Sequence, residues 1–183
     1  FVNPAQFSGP ADLSRYPRDE ERDLALAEEA GVDLVFVPSA EEMYPPGFQT
    51  WVDVTEVGSI LEGQFRPGHF RAVATVVLKL FSIVRPTRAY FGQKDAQQVA
   101  VIRRLMRDLH LDDIELVVGP IVREPDGLAM SSRNAYLGTG DRAAATALGR
   151  ALRAAEELAL AGERDCARIE EAARGLGRQP ERA

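Results

Sequence analysis

The hydrophobic and polar positions of this 183-residue chain follow two periods, one typical of helices and one of short strands. The helical period occurs in five segments, residues 19–30, 69–84, 95–110, 141–161 and 165–174. The second segment is apolar around most of its circumference, except for one polar stripe that contains Arg71, Thr75, Lys79 and Ser82. We therefore expect it to be a largely buried helix with one polar face.

Short β-branched and aromatic runs lie between the helices and predict buried strands over residues 33–37, 88–91 and 115–118. Residues 1–2 resemble the end of a further strand, and residues 50–55 alternate like a strand outside the main sheet. Strands that alternate with helices predict an α/β fold with a doubly wound parallel sheet. We expect residues 1–120 to form this domain, and residues 121–183 to begin a smaller, mainly helical domain.

Composition excludes several classes of function. The chain has 22 Lys and Arg against 28 Asp and Glu, a formal charge of −6, so we expect neither nucleic acid nor an anionic membrane surface as a partner. No run of about 18 apolar residues occurs, which argues against a membrane span. One cysteine, Cys166, permits no internal disulfide and no thiolate zinc site, and it fits a reducing cytoplasm.

The strongest local signal for a ligand follows the strand at residues 88–91. Gly92 and Gln93 precede Lys94 and Asp95 at the start of a predicted helix, where unpaired N–H groups and the helix dipole favour an anion. A lysine there is easier to explain if a phosphate lies beside it. Two plainer interpretations remain open: Asp95 and Gln98 can form a capping box, and Lys94 can be a solvated surface lysine.

Two further loops carry candidate binding groups. Met130, Ser131, Ser132 and Arg133 stand in sequence, and two hydroxyls with a guanidinium can bind several phosphate oxygens, although a polar turn before a helix reads the same way. Gln6, with its neighbour Asn3, leaves the first strand and suits a small substrate's hydroxyl or carboxylate. Both amides can instead satisfy backbone groups. His69 opens a predicted helix, where a structural or capping role and catalysis both remain open, and His110 suits the carboxyl end of its helix.

Six motifs, in this order and spacing, resemble the pantothenate synthetase family. They are Phe-Val-Asn-Pro-x-Gln-Phe at residues 1–7, Arg-Tyr-Pro-Arg at 15–18, Glu-Met-Tyr-Pro at 42–45, Arg-Pro-x-His-Phe at 66–70, Gly-x-Lys-Asp-x-Gln-Gln at 92–98 and Val-Arg-Glu-x-Asp-Gly-Leu-Ala-Met-Ser-Ser-Arg-Asn at 122–134. The resemblance extends to about residue 161. It implies a Rossmann-like sheet of the nucleotidylyltransferase type, followed by a small domain that acts as a lid.

The resemblance also implies an activity. Members of this family condense pantoate with β-alanine at the expense of ATP, through a pantoyl-adenylate intermediate, and release AMP and pyrophosphate in pantothenate and coenzyme A biosynthesis. It implies Mg²⁺ with the ATP, and a homodimer. Both chemical steps need positioned charge rather than a protein nucleophile, and the loops described above offer such groups.

Residue roles follow from the same resemblance. ATP would be bound by residues of two loops, Gly92, Gln93, Lys94, Asp95, Val122, Met130, Ser131, Ser132 and Arg133. The resemblance gives the catalytic, charge-stabilising role to Lys94, Ser131, Ser132 and Arg133. Pantoate would be held by Gln6 and Gln98, and β-alanine would enter beside Gln6. No residue is expected to serve as a dedicated metal ligand.

One departure from the family pattern is large. The family's Met-Gly-x-Leu-His-x-Gly-His motif, which supplies the catalytic histidines, does not occur in the chain. The first residues and the polar end both look cut, so we expect a piece of a longer enzyme that is inactive by itself. Two alternatives remain: a non-catalytic nucleotide- or pantoate-binding fragment, and another adenylyltransferase of the same superfamily. The presence of both glutamines argues against the latter.

Overall fold

The computed structural model describes residues 1–177. Its helices are α1 (Pro10–Arg15), α2 (Glu20–Glu29), α3 (Ala40–Met43), α4 (Glu62–Phe65), α5 (His69–Val84), α6 (Ala96–Asp108), α7 (Thr139–Leu160) and α8 (Cys166–Gly177). Two strands, β1 (Arg88–Gly92) and β2 (Glu115–Gly119), and three short 3₁₀ turns, Pro4–Gln6, Gln93–Asp95 and Ser132–Tyr136, complete it. Each of the five helices expected from periodicity is confirmed within a few residues of its predicted ends.

The chain divides into two compact units, one spanning Phe1–Pro120 and the other beginning at Ile121. In the first unit, β1 and β2 pair in parallel, with Arg88 opposite Glu115 at one end and Gly92 opposite Gly119 at the other. Helix α6 connects the two strands, as a parallel pair requires. The predicted α/β class with a parallel sheet is confirmed.

The core of the first unit lies between α5, α6 and the sheet. Side chains that are at most 2% exposed come from both helices and from α3, namely Met43, Val73, Ala74, Val101, Ile102 and Leu105. Helix α5 begins after Gly68, whose φ of +80° is easily adopted by glycine. The middle of the predicted polar stripe of α5 contacts protein: Thr75 is 2% exposed, and the Lys79 Nζ donates to the carbonyl oxygen of Met43. Its two ends, Arg71 and Ser82, are exposed.

Three strand predictions in the first unit are wrong. Residues 1–2 lead directly into the 3₁₀ turn Pro4–Gln6, and residues 33–37 have no strand partner among the described residues. Strand propensity indicates only that a side chain suits a half-buried pleated surface. A strand also needs hydrogen bonds to the backbone of a neighbouring strand. Residues 50–55 lie against α5 instead, because the backbone N–H of Val52 donates to the Thr75 Oγ1 at 2.9 Å.

The second unit contains a hairpin loop followed by α7 and α8. An antiparallel bridge joins Arg123 to Ala129, and the 3₁₀ turn Ser132–Tyr136 leads into α7. The described part of this unit is mainly helical. In the portion of the chain that the structure describes, no helix combines the length and the apolar character needed to cross a membrane.

Candidate functional site

The segment from Gly92 to Gln98 follows the carboxyl end of β1. The 3₁₀ turn Gln93–Asp95 carries the chain from β1 into α6, and its side chains are exposed. The space in front of the Gly92 Cα is open, with nothing within 4 Å of the position a Cβ would occupy. The Lys94 Nζ lies 3.2 Å from the Asp95 Oδ1. This edge of the sheet therefore presents an accessible lysine directly before the amino end of α6.

The capping-box prediction for Asp95 and Gln98 is wrong. Asp95 occupies the N-cap position of α6, but its side chain makes no capping hydrogen bond. Its carboxylate instead pairs with Lys94, which the preceding 3₁₀ turn places beside it. Gln98 is half-buried, and among the described residues its side-chain amide has no hydrogen-bond partner. Asp95 and Gln98 therefore do not have the capping roles that would have explained them.

Asn3 fixes the direction of the Gln6 side-chain amide. The backbone N–H of Ala5, which can only donate, contacts the Asn3 Oδ1 at 3.3 Å, so the other end of the Asn3 amide is the donor. That Nδ2 donates to the Gln6 Oε1 at 3.1 Å and to the carbonyl oxygen of Ala72 at 3.4 Å. The Tyr44 hydroxyl donates to the Asn3 Oδ1 at 2.9 Å. Burial raises the pKa of this hydroxyl, which keeps it protonated.

This arrangement leaves the Gln6 amide with its oxygen engaged and its nitrogen available. Asn3 is only 5% exposed, so water does not compete effectively for its amide. Among the described residues, the Gln6 Nε2 has no hydrogen-bond partner. Gln6 can therefore offer two N–H donors to a ligand, and such donors suit a carboxylate or hydroxyl oxygen.

The backbone of Gln6 is held from a second direction. Its carbonyl oxygen accepts hydrogen bonds from the Arg66 guanidinium at 2.9 Å and from the His69 Nδ1 at 2.9 Å. A carbonyl can only accept, so His69 carries its proton on Nδ1. Arg66 is also paired with Glu62 at 2.8 Å. Sequence reasoning left the role of His69 open between capping, structure and catalysis, and it included Arg66 in a motif without giving it a role.

In the second unit, the candidate residues lie on a tight hairpin. The Met130 N–H donates to the carbonyl oxygen of Val122 at 2.9 Å, and the Glu124 N–H donates to that of Leu128 at 2.8 Å. Gly127 turns the chain with a φ of +87°, a conformation that favours glycine. Val122 and Met130 are 61% and 56% exposed, so both remain accessible to a ligand.

Charged side chains fasten this hairpin to α7. The Arg142 guanidinium pairs with the carboxylates of Glu124 and Asp126, and the Asn134 amide donates to the Glu124 Oε1 at 2.8 Å. Hydrogen bonds from Arg142 and Asn134 lower the pKa of Glu124. The backbone N–H of Leu128 lowers the pKa of Asp126, with Arg142 adding to the effect. Sequence reasoning missed this network, although its two acids flank the turn.

Ser131, Ser132 and Arg133 follow the hairpin. The Ser131 Oγ accepts the Arg133 N–H at 3.3 Å and caps the 3₁₀ turn Ser132–Tyr136. Its hydroxyl hydrogen remains a donor. Ser132 and Arg133 are exposed. The candidate residues therefore form two groups, one in each unit.

The first group contains Gln6, Gly92, Gln93, Lys94, Asp95 and Gln98. The second contains Val122, Met130, Ser131, Ser132 and Arg133. The first offers a lysine, amide donors and a helix amino end; the second offers hydroxyls, a guanidinium and exposed backbone. Cations and directed N–H donors of this kind bind phosphates and carboxylates.

Comparison with known proteins identifies the class to which a chain with these two groups belongs. A family model described as pantoate-beta-alanine ligase matches residues 1–182. The chain belongs to this family.

Individual relatives agree. Pantothenate synthetase of Chloroflexus aurantiacus is 64% identical over 165 residues, which cover 90% of this chain and 58% of the relative. That of Thermotoga neapolitana is 60% identical over 172 residues, which cover 94% and 61%. The chain thus spans about three fifths of the length of the curated relatives it matches.

Solved structures share the fold. The pantothenate synthetase of Thermus thermophilus superposes with a TM-score of 0.91 at 54% identity, covering 96% of this chain and 63% of that one. A pantoate-beta-alanine ligase from Francisella tularensis, complexed with beta-gamma ATP and beta-alanine, gives a TM-score of 0.79 at 35% identity, covering 97% and 66%.

Proposed function

We propose that this protein is an ATP-dependent ligase that condenses pantoate with β-alanine to form pantothenate. The observation that carries the proposal is membership of the pantoate-beta-alanine ligase family over residues 1–182. In the first step, a pantoate carboxylate oxygen bonds to the α-phosphorus of ATP and pyrophosphate leaves. In the second, the β-alanine nitrogen bonds to the acyl carbon, the bond to AMP breaks and the amine loses a proton.

In the proposed site, the two glutamines hold the acyl substrate. Gln6 offers N–H donors because its own oxygen is engaged by Asn3, and a pantoate carboxylate or hydroxyl supplies the matching acceptor. Gln98 is half-buried and supplies a second amide. The β-alanine would enter beside Gln6.

The nucleotide would be bound by both loops. In this proposal, Gly92, Gln93, Lys94 and Asp95 meet the phosphates at the start of α6, and Lys94 leaves Asp95 to stabilise negative charge that develops on the α-phosphate. Ser131, Ser132 and Arg133 add hydroxyl and guanidinium donors. Met130 and the backbone of Val122 would meet the adenine.

We also propose that the nucleotide binds with Mg²⁺. Mg²⁺ usually takes one or two protein carboxylates and completes its shell with phosphate oxygens and waters. No cluster of three or more possible metal ligands occurs among the described residues, so in this proposal phosphate oxygens and waters supply most of the ligands. The ion would neutralise phosphate charge.

Calorimetric titration with pantoate and with Mg-ATP tests the proposal. We expect pantoate binding that is lost in Gln98→Ala and retained in Gln49→Ala, which alters an exposed glutamine on a loop. Mg-ATP binding should weaken in Lys94→Ala. A folded chain that binds Mg-ATP but not pantoate would instead favour another adenylyltransferase, and one that binds neither would count against the proposed roles. Pyrophosphate release that depends on pantoate would identify the first chemical step.

The proposal includes a homodimer in the cytoplasm. The homodimer is implied by the family resemblance, and the single cysteine fits a reducing compartment such as the cytoplasm. Sedimentation equilibrium across a range of protein concentrations tests the dimer, since a constant monomer mass would contradict it.

A further inference from the structure

Gln97 is the neighbour of the proposed pantoate ligand Gln98, but its side chain is bound to backbone groups of the protein. Its Oε1 accepts the backbone N–H of Glu62 at 3.0 Å. Its Nε2 donates to the carbonyl oxygens of Val57 at 3.0 Å and Ile60 at 2.6 Å. One amide thus makes three hydrogen bonds to backbone groups 35 to 40 positions earlier in the chain.

These contacts bracket a strained residue. Leu61 lies between two of the residues bound by Gln97 and has a φ of +47°, which a leucine rarely adopts. Its side chain is 67% exposed, so burial of that side chain does not hold the conformation. Residues kept in such backbone regions persist where their surroundings determine them and cluster at functional sites. The amide of Gln97 supplies that restraint on both sides of Leu61.

The restrained turn leads to the Gln6 backbone. Glu62 opens α4, and its carboxylate pairs with Arg66 one turn later at 2.8 Å. Arg66 donates to the carbonyl oxygen of Gln6 at 2.9 Å. The connector formed by Gln97, Glu62 and Arg66 therefore joins the first turn of α6 to the turn that carries Gln6.

We propose that Gln97 is a positioning residue, which sets the place of Gln6 relative to Gln98 through Glu62 and Arg66. The inference rests on the proposed function, because Gln6 and Gln98 are its two pantoate ligands. The two neighbouring glutamines of α6 then have different roles: Gln98 contacts the substrate, and Gln97 positions Gln6. Gln97 also ties the first turn of α6 to the first residue of α4, through its hydrogen bond to the Glu62 N–H.

Substitution of Gln97 by methionine tests this role, because methionine keeps the length of the side chain but makes none of the three hydrogen bonds. We expect pantoate affinity to fall about two- to tenfold, the effect of releasing one ordered side chain, while affinity for Mg-ATP stays unchanged. Gln49→Met, at an exposed glutamine, is the matched control and should change neither. Gln97→Glu, which can still accept from Glu62 but cannot donate, provides a second variant if the first does not fold.

A double-mutant cycle with Arg66→Ala distinguishes positioning from a general loss of structure. If Gln97 acts through Arg66, the double variant binds pantoate no more weakly than Arg66→Ala alone, whereas independent effects would multiply. Multiplied effects, or equal losses for pantoate and Mg-ATP, would overturn the proposal.

A ligand-free measurement separates this inference from the proposed function. The ¹⁵N chemical shift of the Phe7 amide reports hydrogen bonding at the preceding Gln6 carbonyl. We expect it to move in Gln97→Met and in Arg66→Ala, and to stay in place in Gln49→Met. A shift that moves in a chain unable to bind pantoate supports the connector and counts against the function. A shift and a pantoate affinity that both stay constant in Gln97→Met overturn the connector.

Discussion

Replacing Asn3 tests whether the direction of the Gln6 amide is built into the site. In Asn3→Ala the Gln6 amide loses its partner and can rotate. In Asn3→Asp the new carboxylate still accepts from the Tyr44 hydroxyl and the Ala5 N–H, but it cannot donate to the Gln6 Oε1. The Gln6 amide must then reverse and turn its oxygen towards the ligand. We therefore expect the more conservative substitution to harm binding more.

The structure provides the magnitudes. Asn3→Ala removes the side-chain hydrogen bonds to Tyr44 at 2.9 Å and to Gln6 at 3.1 Å, together with the longer contacts to the backbone of Ala5 at 3.3 Å and of Ala72 at 3.4 Å. At about 1 kcal/mol for each of the two shorter bonds, the free energy of unfolding should fall by at least about 2 kcal/mol. Asn3→Asp places a carboxylate against the carbonyl oxygen of Ala72 at a position that is 5% exposed, so its free energy of unfolding should fall as well. Pantoate affinity should fall about two- to tenfold in Asn3→Ala, from one side chain that is no longer ordered. In Asn3→Asp the loss should be roughly tenfold to a hundredfold, since a hydrogen bond to a charged carboxylate contributes about 1.5–3 kcal/mol.

Urea denaturation and calorimetric titration with pantoate measure the two quantities in the same protein samples. Tyr44→Phe is the control, because the Ala5 N–H still sets the direction of the Asn3 amide; we expect lower stability and nearly normal affinity. Equal pantoate affinity in Asn3→Asp and the unmodified protein would refute the fixed amide direction. Weaker binding in Asn3→Ala than in Asn3→Asp would do the same.

Three further outcomes are expected. Thr75→Val leaves the Val52 N–H unpaired in the core and should lower the free energy of unfolding by about 1–3 kcal/mol in urea titrations, whereas Thr75→Ser, which keeps the hydroxyl, should change it little. Gly127→Ala forces a left-handed φ on alanine and should destabilise the hairpin by roughly 1–2 kcal/mol, seen as faster amide exchange; unchanged exchange would contradict the strain. The pKa values of Glu124 and Asp126 are lowered in the folded protein. Their contribution to the stability of the hairpin is therefore complete above the ordinary carboxyl pKa of about 4, and it is lost as the pH falls through the lowered pKa values. If the chemical shifts of the hairpin amides stay constant from pH 5 to pH 2, the two carboxylates make no such contribution.

The fold could be predicted where its signal is local. The periodicity of residues 69–84 predicts α5 with the bounds that the structure has, because one face of a helix is visible in a single stretch of chain. The strands expected at residues 33–37 and 50–55 failed for the opposite reason, since a strand exists only with a partner that its own sequence does not contain. The backbone N–H of Val52 instead donates to the hydroxyl of Thr75, 23 positions further along the chain.

The candidate site shows the same division. Lys94 could be selected from the sequence, because residue type and position after a predicted strand indicate a ligand site. Gln6 was selected on the same ground, although residues 1–2 lead into a 3₁₀ turn instead of forming a strand. The direction of the Gln6 amide could not be predicted, because it depends on contacts from Asn3 and, behind it, from Tyr44, 41 positions further along the chain. The resemblance contained Arg66 within a motif, but only the folded chain brings its guanidinium to the Gln6 carbonyl.

Helix α6 begins in the proposed site and continues into the core. Gln98 is accessible, while Ile102, one turn later, is completely buried. The proposed ligand group thus stands on a helix whose next turn is anchored in the core, so binding need restrict little more than side-chain rotation. A substitution at Gln98 can alter which molecule is bound, whereas substitutions at buried positions such as Val99 and Ile102 are restricted by packing.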